Sequence, residues 1–175
     1  MKATGIVRRI DDLGRVVIPK EIRRTMRIRE GDPLEIYTSG SGEVIFKKYS
    51  PAREMGEGAR LLCEALSKQS ELVFLVSDRD HCIAAATGHK DLVDKPVSEL
   101  LENVMESRRL REFAFADAGE ALVGGGAGLV LCVPIIAAGD IAGSVAVLSG
   151  GAELTDADRK LAQAAAGFLS RQMEV

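Results

Sequence analysis

Along residues 1–50, apolar and polar side chains alternate in short runs, and only one stretch has helical spacing. Residues 4–10 are rich in β-branched side chains and read as a strand. Asp11-Asp12-Leu13-Gly14 reads as a turn, with Gly14 free to take positive φ. Residues 15–18 read as a second short strand. Pro19 stops it and serves as the first residue of a helix. That helix, 20–26, has Glu21 near its start, as the macrodipole favours. Ile22 and Met26 lie four apart on one side of it. After a turn at 30–33, residues 34–38 and 43–48 read as strands around Ser39-Gly40-Ser41-Gly42. Leu34 and Ile36 alternate with polar neighbours, as do Val44 and Phe46, so this hairpin is expected to have a core face.

The pattern changes after Ser50-Pro51. Met55, Ala59, Leu62 and Leu66 predict one amphipathic helix over 52–68, weakened near its start by Gly56 and Gly58. Residues 72–77 form an apolar strand, 78–81 a turn and 82–87 a second strand. Leu100, Leu101, Val104 and Met105 mark one side of a helix over 97–108, whereas 112–123 shows no clear period. A glycine-rich loop at 124–128 leads to strong strands at 129–136 and 141–148, joined by Ala137-Ala138-Gly139-Asp140. The last helix, 155–173, opens with Thr155 and Asp158, which suit a capping box. Leu161, Ala165, Phe168 and Leu169 are its expected inner face. Strands flanked by helices imply an α+β sandwich around an antiparallel sheet. The expected organisation is therefore a small domain over 1–50, a linker helix over 51–69 and a larger domain over 70–175.

Size and charge sharpen that division. A unit of four short strands and one helical turn buries little surface and is marginal alone. Two copies sharing strands would remove that weakness, so an interleaved homodimer through 1–50 is expected. Residues 1–50 carry 11 Lys+Arg against 7 Asp+Glu, a net of +4, while the rest carries 12 against 19, a net of −7. A basic module meeting a polyanion, attached to an acidic module with another task, fits this split. The screening length is about 8 Å at physiological salt, so the local patch decides binding. The candidate contacts are Lys2, Arg8, Arg9, Arg15, Arg23 and Arg24. Arginine suits both phosphates and guanine edges because its planar fork bonds bidentately. The competing reading is a solvated face partly neutralised by Asp11, Asp12, Glu21 and Glu30.

Other chemistry is weak. The glycine run lacks the Gly-Lys-Ser/Thr of a phosphate loop and reads as a flexible hairpin loop. Asp78 and Asp80 lack the further ligands of a calcium site and read as a polar turn. His81 and His89 stand apart from any cysteine pair at zinc spacing and read as surface residues. Cys63, Cys82 and Cys132 are scattered and odd in number, which fits reduced thiols. No catalytic residue, metal or cofactor is expected, so the chain reads as a non-enzyme. With no apolar run of spanning length and no signal-peptide pattern at its start, a cytoplasmic, nucleoid-associated protein without a membrane partner is expected.

The stretch TGIVRRIDDLGRVVIPKEIRRTMRIREGDPLEIYTSGSGEVIFKKY resembles the swapped-hairpin DNA-binding domain of the AbrB family of bacterial transition-state regulators, most specifically at LGRVVIPKEIRR. That resemblance implies a β-barrel homodimer whose hairpins are exchanged between chains. It also implies contact with double-stranded DNA through Arg8, Arg15, Arg23 and Arg24, with Lys2 and Arg9 on phosphates, and a preference for DNA shape over a strict base code. Related swapped-hairpin domains occur in antitoxins, so binding to a toxin protein is the alternative. VPIIAAGDIAGSVAVLSGGAELTDADRKLAQAAAGFLSRQM is similar to the closing half of a GAF domain. The pairing implies a transcriptional regulator, activator or repressor, forming a homotetramer through the C-terminal α/β sandwich. That sandwich either binds an unidentified small-molecule ligand or serves only to oligomerise. The Asn-Lys…Phe…Asp-Glu pattern of cyclic-nucleotide-binding GAF domains is missing.

Overall fold

The computed structural model describes residues 4–114, 118–126, 128–148 and 152–174. The chain divides into two compact units, Met1–Tyr49 and Ser50–Val175.

In the first unit, helix α1 spans Lys20–Thr25, with Pro19 at its N-cap. Arg27 follows it at φ 50, and the Ile28 N–H donates to the Arg23 carbonyl at 2.8 Å, closing the helix end. Strands β1 (Leu34–Thr38) and β2 (Val44–Lys48) form an antiparallel hairpin that sets Ile36 opposite Phe46. Lys48 ties the hairpin back, its ammonium donating to the Arg27 carbonyl at 2.8 Å.

Two expectations fail here, for one physical reason. Among the described residues, 4–10 and 15–18 form no ladder, because a strand needs a neighbouring edge and these segments meet none there. Their apolar side chains stay in the open: Val7 is 88% exposed, Ile10 69% and Val17 72%. The hairpin's expected core face is likewise uncovered, with Ile36 62% and Val44 60% exposed.

The second unit has a core of its own. Ser50 accepts from the Arg53 N–H and caps α2 (Pro51–Glu54), where Pro51 fits the first turn. Helix α3 (Gly56–Ser67) follows. The single helix expected over 52–68 is thus interrupted at Met55, just before Gly56 and Gly58, whose helix propensity is poor. Strands β3 (Val73–Ser77), β4 (Cys82–Ala85), β5 (Arg111–Glu112), β6 (Leu129–Ala137) and β7 (Asp140–Leu148) make one antiparallel sheet in the order β4-β3-β7-β6-β5. Helix α4 (Glu99–Ser107) starts two residues later than expected because Ser98 caps it, accepting from the Leu101 N–H. Helix α5 spans Asp156–Met173 and begins with the Thr155–Asp158 capping box.

Alternation along the strands sends side chains to two layers. Phe74, Val76, Val145 and Val147 join Ala59, Cys63 and Leu66 of α3 and Ala162, Ala165, Ala166 and Leu169 of α5. Leu75, Ala146 and Leu148 join Leu101, Val104 and Met105 of α4 on the other side. The inner face of α5 is mostly alanine, which lets the helix lie close on the sheet. Phe168, expected inside, is 52% exposed.

Candidate nucleic-acid interface

The arginines named from the sequence sit on three pieces of the first unit. Arg8 and Arg9 lie on the exposed run before the 11–15 loop, Arg15 closes that loop, and Arg23 and Arg24 occupy the last turn of α1. All five are exposed. Lys2 lies outside the described residues.

Backbone chemistry shapes the loop that carries Arg15. The Asp11 N–H donates to the Arg15 carbonyl at 3.1 Å, and the Gly14 N–H donates to the Asp11 carbonyl at 3.0 Å. Gly14 sits at φ 78, a region open to glycine without strain. The Arg15 guanidinium Nε donates to the Asp11 carboxylate at 2.8 Å. The Arg15 backbone N–H, and then its side chain, hold the Asp11 carboxyl below the usual carboxylate range. The sequence showed Asp11 only as a turn residue and partial neutraliser; its grip on Arg15 depends on geometry that composition does not carry.

In the second unit, Asp78 does more than its reading as a polar turn residue implies. It is buried, and its carboxylate accepts from the backbone N–H groups of Asp80 at 2.7 Å and His81 at 2.6 Å. Its other oxygen accepts from Arg53 Nε at 2.9 Å and the Ser50 hydroxyl at 3.3 Å. One carboxylate therefore fastens the capped start of α2 to the β3–β4 turn. Asp80 is also buried, and His81 and His89 are half-buried. Among the described residues, no three His, Cys, Asp or Glu side chains gather as a metal site. The three cysteines are buried, and burial pushes each thiol up to about 12.

In the glycine loop, the Gly124 and Gly126 N–H groups donate to the Glu120 carboxylate, each at 3.3 Å; Ala127 lies outside the described residues. A depression of about 350 Å³ is lined by Phe113, Val130 and Leu154 among others. Arg159 at its rim bonds both Glu112 and Asp156. Among the described residues, no helix is long and apolar enough to cross a membrane.

In chain order, a small basic unit with exposed arginines is followed by a helix-covered antiparallel sheet. The family described as stage V sporulation protein T C-terminal, transcription factor, matches residues 54–174. The family described as antidote-toxin recognition MazE, bacterial antitoxin, matches residues 7–54. Stage V sporulation protein T of Bacillus subtilis (strain 168) is 48% identical over 186 residues, covering 99% of both chains. The chain belongs to the stage V sporulation protein T family. Its first unit is also similar to the transition state regulatory protein AbrB of Bacillus subtilis (strain 168). That match is 61% identical over 51 residues, 29% of this chain and 52% of the relative. A solution structure of the N-domain of the transcription factor abrB matches 29% of this chain and 96% of its own, at 61% identity and a TM-score of 0.27. The cofactor-binding GAF domain of the nutrient sensor CodY from Clostridium difficile matches 63% of this chain and 81% of its own, at 16% identity and a TM-score of 0.46.

Proposed function

We propose that the chain is a sequence-selective, DNA-binding transcriptional regulator of sporulation genes, homodimeric through residues 1–50 and homotetrameric through its second unit. One observation carries this reading. The unit that displays Arg8, Arg9, Arg15, Arg23 and Arg24 also leaves Val7, Ile10, Val17, Ile36 and Val44 exposed. A second copy supplies both the missing strand edges and the missing cover, and it doubles every arginine cluster. The DNA surface then belongs to the pair of chains. Such a surface reads DNA shape and flexibility as well as base edges.

Within the second unit, the layer under α4 is filled by Leu75, Leu101, Met105, Leu122 and Leu148. That filling supports oligomerisation as the unit's role, which raises affinity by joining binding heads. The rival is a small-molecule sensor, and native mass spectrometry decides it: a retained small molecule on the purified tetramer favours sensing. The MazE-like match over residues 7–54 favours a second reading, binding to a toxin protein. The 48% identity across 99% of the chain favours the regulator.

The test is a gel shift at low salt with the full chain, against a duplex that the parent enriches from a random pool. Arg15→Ala and Arg23→Ala keep the oligomer and weaken binding by about tenfold or more, the scale of a lost bidentate contact. Unchanged affinity in both variants overturns the assignment.

A further inference from the structure

We propose that Asp11 is a positioning residue that sets how the Arg15 guanidinium meets DNA, so that this acidic side chain contributes to sequence discrimination. The proposal rests on the DNA-binding reading above. Its ground is the division of labour within one carboxylate. Oδ1 accepts from the backbone N–H groups of Leu13 at 3.0 Å and Arg15 at 2.8 Å. Oδ2 accepts from Arg15 Nε at 2.8 Å. Asp11 thus holds Arg15 by its backbone and its side chain at once. The Asp11 N–H bond to the Arg15 carbonyl, at 3.1 Å, closes the loop from the other side.

Occupying Nε fixes the plane of the guanidinium and leaves its terminal edge, with two parallel N–H donors, for a guanine edge or a phosphate. The Arg15 side chain is 69% exposed, so that edge is reachable. A long side chain held in one rotamer loses less entropy on binding than a free one. The carboxylate also cancels much of the local charge. It weakens indiscriminate attraction to phosphates while keeping the directional contact. An acidic residue on a DNA-facing loop therefore trades affinity for selectivity.

The two effects separate in one experiment. In the full chain, Asp11→Asn keeps an oxygen for the Leu13 and Arg15 N–H groups but presents no anion to Nε. Affinity is measured for a duplex that the parent enriches from a random pool and for an unrelated duplex of equal length. The ratio of the two falls by about fivefold, the net worth of one hydrogen bond, while affinity for the unrelated duplex holds or rises. In an Arg15→Ala background, Asp11→Asn leaves the ratio where Arg15→Ala put it. A ratio unchanged by Asp11→Asn overturns the positioning role. So does a fall that persists without Arg15, since the residue then acts only on the loop. If the parent enriches no duplex, the DNA-binding reading itself falls and the proposal goes with it.

Discussion

A methyl group on Gly143 would drive one main chain into another. A Cβ built there lies 1.9 Å from the Ser77 carbonyl oxygen, 3.0 Å from its carbonyl carbon and 3.1 Å from Asp78 Cα. A carbon–oxygen contact settles at about 3.3 Å, so β3 and β7 must part by more than about 1 Å. No rotamer relieves the clash, because every atom in it is backbone. Strand separation at this point also pulls on the buried Ser77–Ser144 hydroxyl pair, 2.8 Å apart. Overpacking costs about 1–3 kcal/mol and the strained buried hydrogen bond about 1 kcal/mol more. Gly143→Ala is therefore expected to destabilise the second unit by about 3 kcal/mol. Gly167 provides the opposite case. It is exposed inside α5, with nothing within 4 Å of a Cβ, so Gly167→Ala stabilises by up to about 1 kcal/mol through helix propensity. Urea unfolding followed by circular dichroism reads both variants on one scale. A Gly143→Ala midpoint at the parent's value would refute the close approach of the two strands.

Three further outcomes follow from the second unit. Asp78→Ala strands the N–H groups of Asp80 and His81 and takes from Arg53 its 2.9 Å partner, and it lowers stability by about 3 kcal/mol in the same assay; a variant as stable as the parent contradicts the anchoring role. The thiols of Cys63, Cys82 and Cys132 stay unreactive toward an aromatic disulfide reagent at neutral pH and react on unfolding, because burial pushes each up to about 12; rapid native labelling contradicts this. Glu112 is held below its ordinary value of 4.5 by the Arg159 hydrogen bond, so its stabilisation is full above that value and disappears as pH falls through the lower, folded one. Glu112→Gln should flatten the acid side of the stability curve, and an unaltered acid limb counts against the pair.

Much of the fold was legible because local signals and tertiary packing agree. The hairpin of Leu34–Thr38 and Val44–Lys48 follows from alternation around a Ser-Gly turn. The Thr155–Asp158 capping box is a purely local device and stands where its residues predict. What failed depended on partners distant in sequence. Segment 4–10 has strand propensity, yet propensity cannot provide an edge to pair with. Phe168 is a large apolar candidate for the inner face, but Ala162, Ala165, Ala166 and Leu169 take the inside of α5 and the ring stays out. Asp78 reads as a turn residue; its buried carboxylate accepts from Arg53, 25 positions away. At the candidate interface, the arginines are visible from composition. The carboxylate that orients one of them is not, because an Asp-Asp-Leu-Gly turn has the same letters whether or not its carboxylate grips the arginine that follows.

The most direct measurement is the salt dependence of DNA affinity for the full, unaltered chain. Neutralised phosphates release counter-ions, so the logarithm of the association constant falls linearly with the logarithm of salt concentration. With arginine clusters from two chains on one duplex, the slope should be about −4.5 or steeper, equivalent to about five phosphates contacted. A profile that stays flat across the same range would contradict an arginine-built DNA surface.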